Sequence, residues 1–325
     1  MGGMKNRVLP LPVSLRAGAF GALASLALVA AAAEPDFTNV FPPSVKTVGV
    51  VMPASILAKA KFDAGVAALR KAGYAVKVAP RLSFGKVAPV EDRVKDFEET
   101  WMDPEVDLVL CARGGSGAEK VMGKLDWEKL RARPDQKVLG FSNITMLLNA
   151  MLKERAGHPI SGPSISQMLY AKGDTLEWLC RTVAGAPQPV AKLRALRPGA
   201  FSGLPCGGHI HYVRMAADMK WNADARGRVV FLERNNSAPA GDVRKELDAI
   251  LKSGCLRGAA GVIFGDVSYG AEAEALKRDF AARAECPVYD GYAYGHEPVS
   301  HAIDFRRCVS VAENGTMTWE PPVAR

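Results

Sequence analysis

Residues 137–152 read KVLGFSNITMLLNAML, and this stretch decides the fold. The run Lys137–Phe141 predicts a short buried strand, and the residues after it, to about Leu152, predict a helix. Ser142 lies at the junction between the two. A strand that leads directly into a helix is the repeating unit of parallel α/β folds, in which functional residues collect where strands end and helices begin.

The same alternation continues on both sides of this stretch. It predicts an N-terminal open parallel-sheet domain of the Rossmann or flavodoxin type and a second α/β domain, with an active site at their interface. The other predicted strands are Thr47–Met52, Tyr74–Val78, Asp107–Cys111, Val229–Glu233, Ala260–Asp266 and Pro287–Tyr292, and the other helices are Leu57–Ala72, Val90–Trp101, Asp242–Ser253 and Ala271–Ala284.

The chain divides into five predicted segments. A Pro- and Gly-rich stretch near residues 185–199 is the best candidate for a linker between domains. The predicted segments are a signal peptide (1–33), a lead segment (34–44), an N-terminal α/β domain (45–165), a linker (166–200) and a C-terminal α/β domain (201–325).

The first 33 residues have the composition of an export signal. Lys5, Arg7 and Arg16 precede an Ala-rich apolar run that ends in small residues. This order predicts a secretory signal peptide, a periplasmic or secreted enzyme and no membrane span after cleavage. The alternative is an uncleaved anchor helix, since the run is barely long enough to span a bilayer.

The composition is typical of a globular enzyme, with 48% hydrophobic and 23% charged residues. The formal net charge is +8, but no block of Lys and Arg and no aromatic-basic stripe occurs. We therefore expect no nucleic-acid partner, while a mild positive field suits an anionic cell-wall substrate. The six cysteines form no C-x-x-C pair, and we expect most to be small buried side chains. No cofactor is expected.

Ser142 has two interpretations. A serine at a strand-to-helix junction is exposed near the positive end of the helix, where the next backbone N–H can stabilise an oxyanion. The geometry is that of a nucleophile elbow, although Gly140-Phe-Ser-Asn-Ile144 is not G-x-S-x-G. Taken alone, a serine before a helix is more often an N-cap.

A Gly-rich turn follows an earlier predicted strand, at Cys111-Ala-Arg-Gly-Gly-Ser-Gly117. Such a turn lets the backbone approach a ligand, and its N–H groups can form half of an oxyanion hole. The alternative is a tight structural turn.

His296 and Glu233 complete the set of candidates. His296 lies in a loop beside Gly295, just past a strand, and is a plausible general base or a structural histidine. Glu233 ends an apolar strand, where it could orient a histidine, cap the strand, or pair with Arg234 or Arg244.

Taken together, these residues resemble the LD-carboxypeptidase family of serine peptidases, which includes the microcin-immunity peptidases. The likeness runs from about Val45 to Ser310 and depends on the order and spacing of many short motifs. They include Pro53-Ala-Ser55, Glu91-Asp-Arg93, Ala112-Arg-Gly-Gly115, Leu125-Asp-Trp127, Gly140-Phe-Ser-Asn-Ile-Thr145, Ser161-Gly-Pro163, Gly207-Gly208, Phe231-Leu-Glu233, Gly261-Val-Ile-Phe-Gly-Asp266 and Tyr294-Gly-His296.

The resemblance implies a Ser, Glu, His triad in that chain order, with Ser142 as nucleophile, Glu233 as the orienting acid and His296 as general base. The natural oxyanion donors are the N–H groups of Gly115 and Asn143. The implied reaction cuts the bond between an L-centre and the terminal D-alanine of a murein tetrapeptide.

Arg113 and His209 are candidate substrate-binding residues. Arg113 could bind the free carboxylate that a carboxypeptidase must recognise. His209-Ile-His211 stands where the family usually has Asn and an apolar residue after the Gly pair. If both histidines lay on one strand they would face the same way, as in some metal sites. No third ligand is apparent at a suitable spacing, so no metal site is predicted, and His209 either contacts substrate or is structural.

Other departures from the family concern the surroundings of the site. Asn143 replaces the usual Asp, Ser116 replaces an aromatic residue, and His301-Ala-Ile-Asp304 replaces Pro-Leu-Gly. The rival enzyme is a microcin-immunity-like peptidase acting on another peptidyl amide, and the rival from another class is a non-catalytic murein-peptide-binding protein. The expected partner is a murein peptide or another small peptide, and a homodimer is an open alternative to a monomer.

Overall fold

The structure, a computed structural model, describes residues 35–322. The predicted signal peptide and the first residue of the lead segment lie outside the described residues. Within the described part of the chain, no helix is both long and apolar enough to span a membrane.

The first sheet has six strands in the order β13-β5-β4-β3-β1-β2. Strands β1 to β5 are parallel and follow the 2-1-3-4-5 order of flavodoxin-like folds, while β13 adds an antiparallel edge. Its strands are β1 (Thr47–Val51), β2 (Ala75–Val78), β3 (Leu108–Cys111), β4 (Lys137–Gly140), β5 (His158–Ser161) and β13 (Ile303–Asp304).

Seven helices lie between β1 and residue 184. The amphipathic helices bury an apolar face, as Phe62, Val66 and Leu69 do in α1. The helices are α1 (Lys59–Lys71), α2 (Val90–Met102), α3 (Ala118–Met122), α4 (Trp127–Arg131), α5 (Ile144–Glu154), α6 (Ile165–Met168) and α7 (Thr175–Ala184).

The second sheet has five strands in the order β7-β12-β11-β10-β9, of which β9 to β12 are parallel and β7 is antiparallel. It comprises β7 (Arg194–Arg197), β9 (Pro205–His209), β10 (Val229–Arg234), β11 (Gly261–Val267) and β12 (Val288–Asp290), with helices α8 (Ile210–Asp218), α9 (Ala240–Ser253) and α10 (Ala271–Arg283). A small antiparallel sheet, in the order β6-β15-β14-β8, comprises β6 (Ala191–Lys192), β8 (Phe201–Gly203), β14 (Arg307–Val311) and β15 (Thr316–Pro322).

Side chains of α5 join the first sheet to the second. The Asn149 amide accepts from the N–H of Gly207 at 3.0 Å and donates to its carbonyl at 2.9 Å. Gly208 lies against Thr145, because a Cβ added there would meet Oγ1 of Thr145 at 2.5 Å. The Gly pair therefore lets β9 approach the helix that follows Ser142.

The predicted α/β class with parallel sheets is confirmed, and each predicted strand and helix is present with ends shifted by a few residues. The predicted linker contains α7, β6 and β7, and the domain boundaries stay a prediction. The assumption that His209 and His211 share a strand was wrong, because β9 ends at His209 and α8 begins at Ile210. The six cysteines all lie among the described residues and are free. The expectation that most would be buried was wrong, because only Cys111 and Cys206 are.

Candidate active site

Ser142 occupies a strained turn between β4 and α5. Its φ is +62°, a left-handed conformation that costs a non-glycine residue free energy and concentrates at functional sites. Two backbone hydrogen bonds close the turn. The N–H of Ile144 donates to the carbonyl of Phe141 at 3.2 Å, and the N–H of Thr145 donates to the carbonyl of Ser142 at 2.9 Å. The strand–turn–helix geometry is that of a nucleophile elbow.

The Gly-rich turn after β3 lies directly against this elbow. A Cβ added at Gly114 would meet the Phe141 carbonyl oxygen at 2.6 Å and Cβ of Ser142 at 2.7 Å. Gly115 has a φ of +98°, and a Cβ there would meet Oγ of Ser55 at 2.4 Å. Only glycines fit at these two positions without movement of the elbow or of Ser55.

Of the two predicted oxyanion donors, Asn143 directly follows Ser142, and Gly115 follows Gly114, which lies against the elbow. Within residues 35–322, the N–H groups of Gly115 and Asn143 make no hydrogen bond. The carbonyl of Gly115 accepts from the Tyr212 hydroxyl. The Asn143 side chain is buried, and its Oδ1 accepts from the N–H of Ala118 at 2.8 Å. The backbone N–H groups are thus left for a ligand, while the Asn143 side chain supports the neighbouring helix.

Glu233 and His296 form a buried pair. Nδ1 of His296 lies 2.8 Å from Oε2 of Glu233, whose side chain has no exposed surface, whereas that of His296 is 22% exposed. The pairing between β10 and β11 is irregular from Leu232 to Arg234, which is common next to active sites. Glu233 therefore stands in the position of an acid that orients a histidine.

Opposing influences set the pKa of His296. Burial favours the neutral ring, but the charge of Glu233 and its hydrogen bond outweigh burial and raise the pKa above the ordinary histidine value. The carboxylate also fixes Nδ1 as the donor nitrogen, which leaves Nε2 to accept a proton.

Aromatic packing places His296 beside the elbow. Its ring packs on that of Phe141, the residue before Ser142, with centroids 4.8 Å apart. Tyr294 contacts the same Phe141 ring edge-on at 5.5 Å, and its hydroxyl is 2.8 Å from Oγ of Ser161 at the end of β5. The loop that carries His296 is thus attached to the sheet that carries Ser142.

His209 lies in the same group of side chains. Its ring is 5.4 Å from that of His296, and burial, followed by the charges of His296 and Arg234, places its pKa well below the ordinary value. Nε2 is 3.3 Å from Nη1 of Arg234 and 3.5 Å from Oδ1 of Asn235, whereas the buried Nδ1 has no hydrogen-bond partner among the described residues.

Two other sequence-predicted residues have hydrogen-bond partners outside this group. Arg113 is exposed beside the Gly turn and donates to the carbonyl of Ile56 at 2.8 Å. His211 lies in α8, where Nδ1 is 2.6 Å from Oε1 of Glu246.

Sequence reasoning missed the supporting residues. Arg234 is buried and binds Oε2 of Glu246 at 3.2 Å, which joins β10 to α9 behind His209. Asp266 is half-buried against Gly295, and its buried Oδ2 is unpaired among the described residues. Burial, followed by Glu297 and Glu233, raises the pKa of Asp266 to about 7. The sequence signal for both was a charged residue at the end of an apolar strand.

The arrangement suits acyl transfer. A serine on a strained elbow, a histidine held by a carboxylate and two free backbone N–H groups are the parts that hydrolysis through an acyl-enzyme requires. His209, Glu233 and His296 are also the described residues whose donor atoms lie close enough to hold a metal ion, within 4.8 Å of one another.

Comparisons with known protein families agree with this architecture. Residues 48–161 match the LD-carboxypeptidase N-terminal domain, and residues 202–311 match the LD-carboxypeptidase C-terminal domain. A putative carboxypeptidase of Streptomyces coelicolor is 30% identical over 85% of this chain and 93% of its own length. The murein tetrapeptide carboxypeptidase of Pseudomonas aeruginosa is 25% identical over 88% of this chain and 99% of its own.

Solved structures share the fold. The muramoyltetrapeptide carboxypeptidase of Oxalobacter formigenes superposes with a TM-score of 0.74 over 85% of this chain and 100% of that one, at 21% identity. An MccF-like protein of Bacillus anthracis gives a TM-score of 0.75 over 86% and 98%, at 17% identity.

Proposed function

The chain belongs to the LD-carboxypeptidase family and is a peptidase, and from this premise we propose that it uses Ser142, Glu233 and His296 to release the terminal D-alanine of murein tetrapeptides. The observation that carries the proposal is the position of His296. Buried Glu233 holds one ring nitrogen, and the ring packs on Phe141, the residue before Ser142.

The reaction begins when Nε2 of His296 accepts the hydroxyl proton of Ser142 as Oγ attacks the scissile carbonyl. The oxygen of the tetrahedral intermediate receives hydrogen bonds from the N–H groups of Gly115 and Asn143. The imidazolium then protonates the departing amine, and D-alanine leaves with the acyl group on Ser142. Water, activated by the same histidine, completes hydrolysis.

Glu233 supports this cycle by stabilising the imidazolium and keeping Nδ1 protonated. A carboxylate with no exposed surface is costly to bury unless a hydrogen-bonding cationic partner faces it. The pair therefore favours the state in which His296 carries the proton between the two halves of the reaction.

Substrate recognition involves the exposed face of the Gly turn. Arg113 is the nearby guanidinium that can bind the free carboxylate of D-alanine through charge-assisted hydrogen bonds. His209 presents a buried, neutral ring with one unpaired nitrogen toward the site, where it can contact the peptide.

The test is incubation of the purified chain with murein tetrapeptide and chromatography of the products. Release of D-alanine by the wild-type chain, and none by Ser142→Ala, supports the proposal. If the chain cleaves another peptidyl amide through Ser142 but releases no D-alanine, it is a microcin-immunity-like peptidase. If it binds the peptide without cleaving it, it is a binding protein.

The proposed site of action is the periplasm or the exterior. The basic, Ala-rich residues 1–33 support export. Fractionation of cells that express the full chain, followed by N-terminal sequencing of the mature protein, tests this: an intact cytoplasmic chain contradicts it.

A further inference from the structure

Three side chains that can bind a cation converge beside the elbow. One donor atom each from His209, Glu233 and His296 lies within 4.8 Å of the other two. Two imidazoles and one carboxylate are a ligand set that Zn²⁺ uses when its fourth position is open. We propose that these residues bind Zn²⁺ and that the bound ion reversibly inhibits the enzyme.

The strand pairing provides the first support. His209 and Glu233 are register partners on the parallel strands β9 and β10, so their side chains leave the same face of the sheet. His296 reaches that face from the loop after β12, already within 2.8 Å of Glu233. Because zinc ligands about 2 Å from the ion lie roughly 3.3 Å apart, the donors need to close by at most about 1.5 Å, which side-chain rotation can supply.

The second support is that two of the donors lack partners. Nδ1 of His209 and Oε1 of Glu233 are buried and make no hydrogen bond among the described residues. The His209 residue is only 3% exposed, and Glu233 is fully buried. Buried nitrogen and oxygen atoms are nearly always paired, so an unpaired imidazole nitrogen and an unpaired carboxylate oxygen on neighbouring strands indicate a missing ligand.

The surroundings of His209 suit a metal-bound ring. Its Nδ1 is buried and makes no hydrogen bond among the described residues, so this ring nitrogen is left for a metal ion. With the ion on Nδ1, the proton resides on Nε2, which lies 3.5 Å from the acceptor Oδ1 of Asn235. Nη1 of Arg234 is 3.3 Å from the same nitrogen, but its two N–H bonds have other acceptors in Oδ1 of Asn235 and Oγ of Ser237. The nearby charge of Arg234 is opposed by Glu246, 3.2 Å from its Nε.

Inhibition follows from the shared residues and rests on the proposed function. A Zn²⁺ ion bound to His296 either occupies the electron pair with which this general base accepts the Ser142 proton, or displaces the His296 ring from Glu233.

The direct test measures Zn²⁺ binding by calorimetry on full-length Ser142→Ala protein, in which turnover is absent. One ion per chain is expected. Adding His209→Asn should weaken binding by at least about 10- to 100-fold, since even residues that only support metal ligands have effects of that size. His211→Asn is the matched control: it removes a neighbouring imidazole that is held by Glu246, and affinity should stay unchanged.

The activity arm uses wild-type enzyme and D-alanine release. Zn²⁺ should inhibit, EDTA should restore the original rate, and the residual activity of His209→Asn should resist the same zinc concentration. Unchanged binding in His209→Asn, or activity that requires zinc, overturns the inference. Since calorimetry needs no turnover, a chain that lacks peptidase activity but binds zinc through His209 refutes the proposed function and leaves the metal site standing.

Discussion

Nδ1 of His296 lies 2.8 Å from Oε2 of Glu233, and the contact joins a loop histidine that is 22% exposed to a fully buried strand residue. This one relationship sets the tautomer and the basicity of the ring. It also holds the loop after β12 where the His296 ring packs on Phe141, the residue before Ser142.

The pH dependence of catalysis should report this pair. His296 must be neutral to accept the Ser142 proton, so kcat/KM should rise with pH through a pKa above the ordinary histidine value. In Glu233→Gln the attractive charge is lost while burial and Arg234 still lower the pKa. The rising limb should therefore move to lower pH, and kcat should fall by about 10³- to 10⁴-fold.

The control for that measurement is Glu297→Gln, at an exposed acid beside the same histidine. Its effect on the pKa of His296 is the smallest of those that act on the ring. The rising limb of kcat/KM against pH should therefore shift less in Glu297→Gln than in Glu233→Gln. If the rising limb shifted further in Glu297→Gln than in Glu233→Gln, Glu233 would not be the acid that orients His296.

Gly114→Ala should impair catalysis through the elbow. The added methyl group would lie 2.6 Å from the Phe141 carbonyl oxygen and 2.7 Å from Cβ of Ser142, so the turn must move. Displacement of this kind typically costs 1 to 3 kcal/mol of stability, and misplacing a nucleophile by an ångström costs roughly 10²-fold in rate.

Gly123→Ala is the matched glycine, because its added methyl group meets only the Glu119 carbonyl oxygen at 3.6 Å. The measurement is the rate of D-alanine release by Gly114→Ala and Gly123→Ala, normalised to the amount of folded protein by circular dichroism. Full activity in Gly114→Ala would show that the turn does not position Ser142.

Arg113→Met should weaken recognition of the C-terminal carboxylate. A charge-assisted hydrogen bond contributes about 1.5 to 3 kcal/mol, so KM for murein tetrapeptide should rise by roughly 10- to 100-fold with kcat little changed. The same peptide with a C-terminal amide should be cleaved equally poorly by both proteins. If Arg113→Met prefers the peptide with a free carboxylate over the C-terminal amide as strongly as the wild type does, Arg113 is not the carboxylate-binding residue.

Arg234→Met should destabilise the fold. The guanidinium is 4% exposed and binds Glu246, whose side chain is 12% exposed, so its removal leaves a largely buried carboxylate with His211 alone. Breaking a buried pair in this way costs about 3 to 5 kcal/mol in urea unfolding at neutral pH.

Lowering the pH should reduce the difference in unfolding free energy between the wild type and Arg234→Met. Although burial opposes ionisation, the contacts with His211 and Arg234 leave the pKa of Glu246 below its usual value. The stability it contributes is present above the unfolded pKa and is lost as the pH falls through the folded one. Arg226→Met, at an exposed ion pair with Asp224, should leave unfolding unchanged, and an equal loss there would remove the special role of Arg234.

The sequence was informative where a local pattern carries the signal. Apolar runs and helical spacing predicted β4, β10 and α5, and with them the positions of Ser142 and Glu233. Strands without such a pattern were missed: β5 contains Pro159, and β9 contains the pair Gly207–Gly208. Their pairing depends on neighbours distant in the sequence, as between Gly207 and Asn149.

The supporting residues of the site escaped prediction for the same reason. The contact of Arg234 with Glu246 and the contact of Asp266 with Gly295 arise only when separate elements pack together. Likewise, His211 was expected on a strand because nothing in His209-Ile-His211 marks the start of a helix, yet α8 begins at Ile210.

The central claim is that Ser142 attacks the substrate through His296. The most direct measurement is labelling of the folded protein with a fluorophosphonate, followed by mass spectrometry of its peptides. The account predicts one adduct, on Ser142, that is absent in Ser142→Ala, forms much more slowly in His296→Ala and is prevented by excess murein tetrapeptide. An active enzyme that acquires no label on Ser142, or a Ser142→Ala variant that still releases D-alanine at the wild-type rate, would contradict it.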